Sequence, residues 1–202
     1  MRSSRSARAP ISSSKADGNA ALPAALAARR RAKRLFSGRE VDASLRRMAD
    51  ELTPHLAGKN PIVLAVMHGG AFAAVELCRR FDFAHEFDYV HVESYRGEIG
   101  GELRWRKRPR RALAGRTVLI VDDILDRGRT LRALEHELDR IGVAERFSAV
   151  LVRKRVAKPG RRPKVDAFGL EVDDVYVFGS GMDYRGHWRS LNGVFALETH
   201  DD

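Results

Sequence analysis

Five residues within a span of fourteen carry the strongest chemical signal in this chain. Residues 118–131 read VLIVDDILDRGRTL, and Asp122, Asp123, Asp126, Gly128 and Thr130 fall within them. Three carboxylates cannot bind phosphate, but they suit sugar hydroxyls, a divalent cation or a proton in transit. Gly128 and Thr130 stand where a helix would begin. There the free N–H groups of the first helical turn, aided by the helix dipole, can hold a phosphate. A site for phosphate, hydroxyls and a cation together points to a phosphorylated ribose. An ordinary strand-to-helix turn with an acidic cap is the alternative, but it needs neither three acids nor the closing Thr.

Such residues need strand ends and helix starts brought together. Residues 118–121 are apolar, three of the four β-branched, as a buried parallel strand requires. Leu131, Leu134, Leu138 and Ile141 follow at helical spacing. Ser37 is a candidate N-cap for a helix carrying Val41, Leu45, Met48 and Leu52, which Pro54 ends or bends. Further strands are expected over 62–66, 89–92, 147–152, 167–170 and 175–178, with a helix over 71–80. The alternation predicts an α/β fold, a doubly wound and mostly parallel sheet with ligands at the strand C-terminal ends. A second glycine turn, VMHGG at 66–70, also follows a strand and is a second anion site.

The net charge of +10 is unevenly spread. Residues 1–39 hold eight Arg, two Lys and one acid, leaving 27 basic against 26 acidic residues beyond them. Residues 1–36 read as a basic tail, disordered to about Ala28 and able to touch nucleic acid weakly and nonspecifically. Residues 37–202 read as the folded domain. The single Cys78 excludes an internal disulfide and fits a reducing, cytoplasmic setting. No apolar run is long enough to span a membrane.

The 118–131 string closely resembles the phosphoribosyl-diphosphate-binding motif of type I phosphoribosyltransferases: four apolar residues, two acids, two apolar residues, then Asp-x-Gly-x-Thr. The likeness extends over 37–198 and is closest to the bacterial 6-oxopurine, hypoxanthine-guanine branch. It implies that branch's fold, with a small hood made mainly from 165–202 plus the N-terminal helix. It further implies that Asp122 and Asp123 take the ribose hydroxyls and magnesium, and that Arg127, Gly128, Arg129 and Thr130 take the 5′-phosphate. Arg127 replaces the Thr of many members and either adds charge there or points to solvent. Met67, His68 and Gly69 would receive the diphosphate, with a non-proline cis peptide at Met67–His68. His68 either contacts the diphosphate through its ring or leaves the task to its backbone, since His is not obligatorily charged near neutral pH.

The segment 172–193, VDDVYVFGSGMDYRGHWRSLNG, resembles the hood that selects the base. By that likeness Tyr176 stacks on the purine, Val177 offers backbone groups to its edge, and Met182 and Ile124 pack beside it. Asp183 would hold magnesium and Arg189 would reach the diphosphate. Lys154 falls where the family donates to a 6-oxo group, although Arg153 and Arg155 leave the register open. A cation there disfavours the 6-amino group of adenine. Residues 92–116 form a long glycine-containing, basic stretch, read either as a mobile lid that begins at Ser94 and Tyr95 or as a nucleic-acid patch around Trp105. The lid is preferred.

Together these imply transfer of a phosphoribosyl group from phosphoribosyl diphosphate to hypoxanthine or guanine. Mg2+ would be the cofactor, Asp126 the general base at purine N7, and a homo-oligomer, dimer or tetramer, the assembly. The contrasting reading keeps the fold and nucleotide site but makes the chain a regulator that binds RNA or DNA.

Overall fold

The computed structural model describes residues 15–94, 103–156 and 162–197. The chain opens with α1 (Lys15–Arg31) and β1 (Lys33–Ser37), and α2 (Gly38–Leu56) follows with no linker. Ser37 ends the strand and caps the helix. Its Oγ accepts from the Glu40 N–H at 3.4 Å, and Glu40 Oε2 accepts from the Ser37 N–H at 2.8 Å. This reciprocal cap satisfies two otherwise orphaned donors, as Ser37 and its spacing to Glu40 suggest. Pro54 lies in the last turn of α2 rather than ending it.

The remaining elements are β2 (Ile62–Met67), α3 (Gly70–Cys78), β3 (Glu86–Ser94), β4 (Leu103–Lys107), β5 (Thr117–Leu125), α4 (Arg129–Ile141), β6 (Glu145–Lys154), β7 (Ala167–Val172), β8 (Val177–Phe178) and β9 (Gly193–Ala196). Six strands form one sheet in the order β4-β3-β2-β5-β6-β7, parallel except for the β4 edge. β2 and β5 lie side by side at its centre, so the turns that follow them share one end of the sheet.

Alternation along these two strands explains why they read as unbroken apolar runs. Val63, Ala65, Leu119 and Val121 pack with Leu45, Met48 and Leu52 of α2 and Leu77 of α3. Ile62, Leu64, Val118 and Ile120 pack on the opposite face with Leu131, Leu134 and Leu138 of α4. Both faces are covered, as a doubly wound sheet requires. A second, antiparallel sheet, β1-β9-β8, forms the hood.

Three boundaries differ from the sequence reading. Residues 15–36 are not a free tail: α1 buries Ala25 and Ala28, and β1 pairs with β9. Alanines bury little area each, so the docking stripe is invisible beside eight arginines. β5 runs on through Asp122 and Ile124 to Leu125, because β6 continues as its pairing partner to Arg153. The acids therefore sit on a strand, not in a loop. Finally, β7 belongs to the main sheet and α2 packs chiefly against that sheet's core, so the hood is β1, β8 and β9 with the loops between them.

Candidate active site

The ends of β2 and β5 enclose a cavity of about 370 Å³, lined by residues 66–69 and 122–131 with Asp183 and Arg189. The Met67–His68 peptide is cis, as the family likeness implies. The glycines beside it are required by contact. A Cβ on Gly69 would stand 1.6 Å from Asp123 Oδ2, and one on Gly70 would stand 2.4 Å from the Val121 carbonyl oxygen. The exposed His68 ring lines the cavity, with the His91 ring edge-on at 4.6 Å between centroids.

At the other wall, Gly128 takes φ +70° and α4 starts with no side-chain cap. Its first N–H groups are left to the cavity, the arrangement suited to a phosphate. A Cβ at Gly128 would also meet Pro163 Cδ at 2.5 Å. Arg129 and Thr130 line the same turn. Arg127 lines the cavity with an exposed side chain that is engaged by acids. Its Nη2 donates to Asp174 Oδ2 at 3.3 Å and its Nε is 3.6 Å from Asp126 Oδ1.

Between these walls lie the paired acids. Asp122 Oδ1 accepts from the Asp123 N–H at 2.9 Å. Burial, and then the adjacent Asp123 charge, push the Asp122 carboxyl well above its ordinary range. Burial also raises Asp123, opposed by its hydrogen bond with Asp122 and by the Arg189 charge. Arg189 ties this pair to the hood. Its Nη1 is 3.8 Å from Asp123 Oδ2 and donates to the Gly181 carbonyl at 2.7 Å, while Nη2 meets Asp183 Oδ1 at 2.6 Å. Asp183 Oδ2 accepts from the Gly186 N–H at 2.6 Å. Among the described residues no cluster of three or more His, Cys, Asp or Glu forms a metal cage. Two partly buried carboxylates beside an anion site fit the other mode of magnesium binding, in which the protein supplies one or two oxygens and substrate phosphates supply more.

Asp126 stands between acids and phosphate turn. Its Oδ1 is buried without a hydrogen-bond partner among the described residues, and its Oδ2 is 3.7 Å from Lys154 Nζ. The three adjacent cations of and after β6 divide between two sets of partners. Arg153 pairs with Glu171 at 2.7 Å over the Phe168 ring, and Arg155 pairs with Glu171 and Asp173, leaving Lys154 as the cation turned to Asp126. Two further residues complete this corner, and neither stood out in the sequence. Asp174 Oδ1 accepts from Lys154 Nζ at 3.5 Å, and Arg162 donates to the carbonyls of both Lys154 (2.6 Å) and Leu125 (2.9 Å). In the sequence Asp174 has the look of a solvated loop acid, and no local pattern links it to Lys154.

The hood residues are partly assembled. Tyr176 is 48% exposed, its OH donating to the Asp183 carbonyl at 2.9 Å and its ring edge-on to Tyr184. Ile124 lines the cavity. Val177 and Met182 are buried within the core instead of lining it. Ser94 ends β3, and Tyr95 lies outside the described residues. β4 pairs antiparallel with β3, so the stems flanking the expected lid form a hairpin. Two cations of its basic run are paired within the protein: Arg108 lies over the Trp105 ring and pairs with Glu137, and Arg111 pairs with Glu86. The backbone of the run is fixed by the buried Asp88, which accepts from the N–H groups of Arg110 and Arg111.

Known proteins share this arrangement. The phosphoribosyl transferase domain matches residues 32–185. The hypoxanthine-guanine phosphoribosyltransferase of Lactococcus lactis is 33% identical over 171 residues, spanning 82% of this chain and 91% of its own. The hypoxanthine-guanine-xanthine phosphoribosyltransferase of Tritrichomonas foetus is 31% identical over 81% of this chain and 90% of its own. The solved structure of the Trypanosoma cruzi hypoxanthine phosphoribosyltransferase, in complex with the product IMP, superposes with a TM-score of 0.76 at 26% identity, covering 83% of this chain and 94% of that one. This chain belongs to the phosphoribosyl transferase domain family.

Proposed function

We propose that this chain salvages purines by transferring the 5-phosphoribosyl group of phosphoribosyl diphosphate to hypoxanthine or guanine, giving IMP or GMP and diphosphate. The observation that carries the reading is the pairing of Asp126 with Lys154. A proton acceptor with a buried oxygen that accepts no hydrogen bond among the described residues stands beside the one β6 cation turned toward it, next to a phosphate turn and an acid pair. The names of the relatives point the same way.

In this reading the α4 N-terminus and the 126–130 turn hold the 5′-phosphate, and Asp122 and Asp123 hold the ribose hydroxyls. The 67–69 turn and Arg189 receive the diphosphate, with His68 at its edge. Lys154 donates to the 6-oxo oxygen, Tyr176 stacks on the ring, Val177 offers its backbone, and Ile124 lies beside it. Asp126 accepts the N7 proton as the bond to the ribose forms. The acid pair faces the positive charge that grows on the ribose as diphosphate leaves, a charge of the kind met in glycoside chemistry. Magnesium, held with the substrate by one or two of Asp122, Asp123 and Asp183, would neutralise the leaving diphosphate. The hairpin that begins at Ser94 and Tyr95 would close over the site and exclude water.

The same proposal places the protein in the cytoplasm as a homo-oligomer. Burial pushes the half-buried Cys78 thiol up to about 11, so it stays protonated near neutral pH. No described helix is long and apolar enough to cross a membrane. Phe72 and Val75 of α3 are 42% and 47% exposed beside an apolar depression shared with α2, a face suited to a second copy.

The test is nucleotide formation from hypoxanthine, guanine, xanthine, adenine and uracil, with phosphoribosyl diphosphate and magnesium. Hypoxanthine and guanine should lead. Adenine as best substrate would overturn the base assignment, and no nucleotide from any base would overturn the reaction.

A further inference from the structure

The helix α1 precedes the stretch matched by the family and is therefore not explained by membership in it. It is nevertheless fastened to the hood at two points. The Trp188 indole N–H donates to the Ala25 carbonyl at 2.8 Å, and the Arg29 guanidinium lies 4.4 Å from the centre of the Phe195 ring. Ala25 and Ala28 are buried at this contact face.

The first fastening falls one residue before Arg189. Trp188 has φ +71°, a left-handed conformation that a bulky side chain adopts only when its surroundings hold it there. On the N-terminal side, Tyr184 and His187 exchange backbone hydrogen bonds across a turn with Arg185 and Gly186 at positive φ. On the C-terminal side, Arg189 donates from its side chain to Gly181 and Asp183 and accepts through its carbonyl from the Gly181 N–H. The backbone at 188 turns sharply between these two fixed points, and the indole bond to α1 is what holds the outer side of that turn.

We propose that α1 is a positioning element for Arg189: through Trp188 it holds the hood turn in the conformation that presents the Arg189 guanidinium to the acid pair and the diphosphate end of the cavity. The inference rests on the reading of Arg189 as a diphosphate ligand. Trp188 itself touches no substrate; it acts through its neighbour.

The experiment uses the full chain and magnesium diphosphate as probe, titrated calorimetrically, with thermal unfolding as a folding control. Trp188→Phe keeps the ring and loses the N–H. It should raise the probe Kd roughly 3- to 10-fold, the range for one hydrogen bond, while the KM for the purine base stays within about twofold. Arg29→Ala, at the second fastening, should raise the Kd about two- to threefold and guards against a misfolded Trp188 variant. In an Arg189→Gln background, Trp188→Phe should add nothing, because the pathway runs through the missing guanidinium. An unchanged Kd in both single variants, or the same rise in the Arg189→Gln background, would overturn the proposal. A native protein that binds the probe but forms no nucleotide refutes the reaction, and the brace is still judged by the same Kd ratio. A native protein that does not bind the probe removes Arg189 as its ligand and the brace with it.

Discussion

The β5–α4 turn and the hood face each other across one cavity, yet different forces hold them. β5 is paired on both sides by β2 and β6, and its apolar residues are buried on both faces. The end of this strand and the turn that follows present three acids and a row of N–H groups to a ligand from a support packed on both faces. The hood has strands of two to five residues. Its 179–193 stretch is full of positive φ values, and it is tied by single side-chain bonds such as Ser180 Oγ to the Gly193 carbonyl at 3.1 Å. A packed sheet end gives charge a fixed address. A stitched loop lets one side chain adjust the fit, and so is the natural place for selectivity.

Substitutions at the fixed wall should accordingly abolish turnover, while those on the adjustable side should tune it. The largest effect is expected for Asp126→Asn. Loss of a general base lowers kcat by about 100- to 10,000-fold, and phosphoribosyl diphosphate should still bind, since the phosphate turn is untouched. Single-turnover kinetics with a binding titration would check it, and near-native turnover would remove Asp126 from the proton path. Next is Lys154→Ala, which should weaken hypoxanthine and guanine by about 1.5–3 kcal/mol, the range for a charged hydrogen bond. Equal losses for adenine would show that the lysine does not read the 6-oxo group.

Smaller still is Asp174→Asn. It keeps the shape but removes a charge from a partly exposed pair with Lys154, so the base KM should rise only about two- to fivefold, with kcat little changed. A larger drop in kcat than in base affinity would mean that Asp174 serves Asp126 instead.

The last prediction concerns stability. The Asp122 carboxyl is raised above its ordinary value near 3.8, so the folded chain holds this proton more tightly than the unfolded chain does. Ionisation of Asp122 therefore opposes folding above its folded pKa, and the opposition fades as pH falls through that pKa toward the unfolded value. Asp122→Asn should raise Tm at pH 7 by about 2–4 °C, the change that about 1 kcal/mol makes in a chain of this size. The gain should shrink in mildly acidic buffer, while ribose and magnesium binding suffers. An unchanged or lowered Tm at neutral pH would show that the pair is not strained by its burial.

The two regions were also unequally legible before the fold was known. The fixed wall is one continuous string, so the acids, Gly128, Thr130 and the helix behind them could be read from local pattern alone. Ser37 is equally plain as a cap, because it stands directly before an apolar pattern of helical spacing. The hood is assembled from residues 25, 36, 176 and 195, and no local pattern reports such meetings. α1 hides its contact face in two alanines, and Asp174 acquires a role only when β6 and the loop after β7 come together. Motif position places the Met182 side chain against the base, but its burial in the core is a property of the finished fold.

The junction at Ser37 has a mechanical consequence. The residue is at once the end of a hood strand and the cap of a core helix, paired with Gly193 and followed at once by Gly38, whose missing Cβ leaves room for the Asn192 side chain. Hood and core thus share a welded corner with no slack residue. If the hood swings to admit or release a ligand, it cannot pivot there. The hinge must fall on its other connection, residues 173–176 between β7 and β8, where Asp173 and Asp174 stand exposed and Asp174 also holds Lys154. In such a molecule the stroke of the lever and the grip on the base would be geared through the same short link.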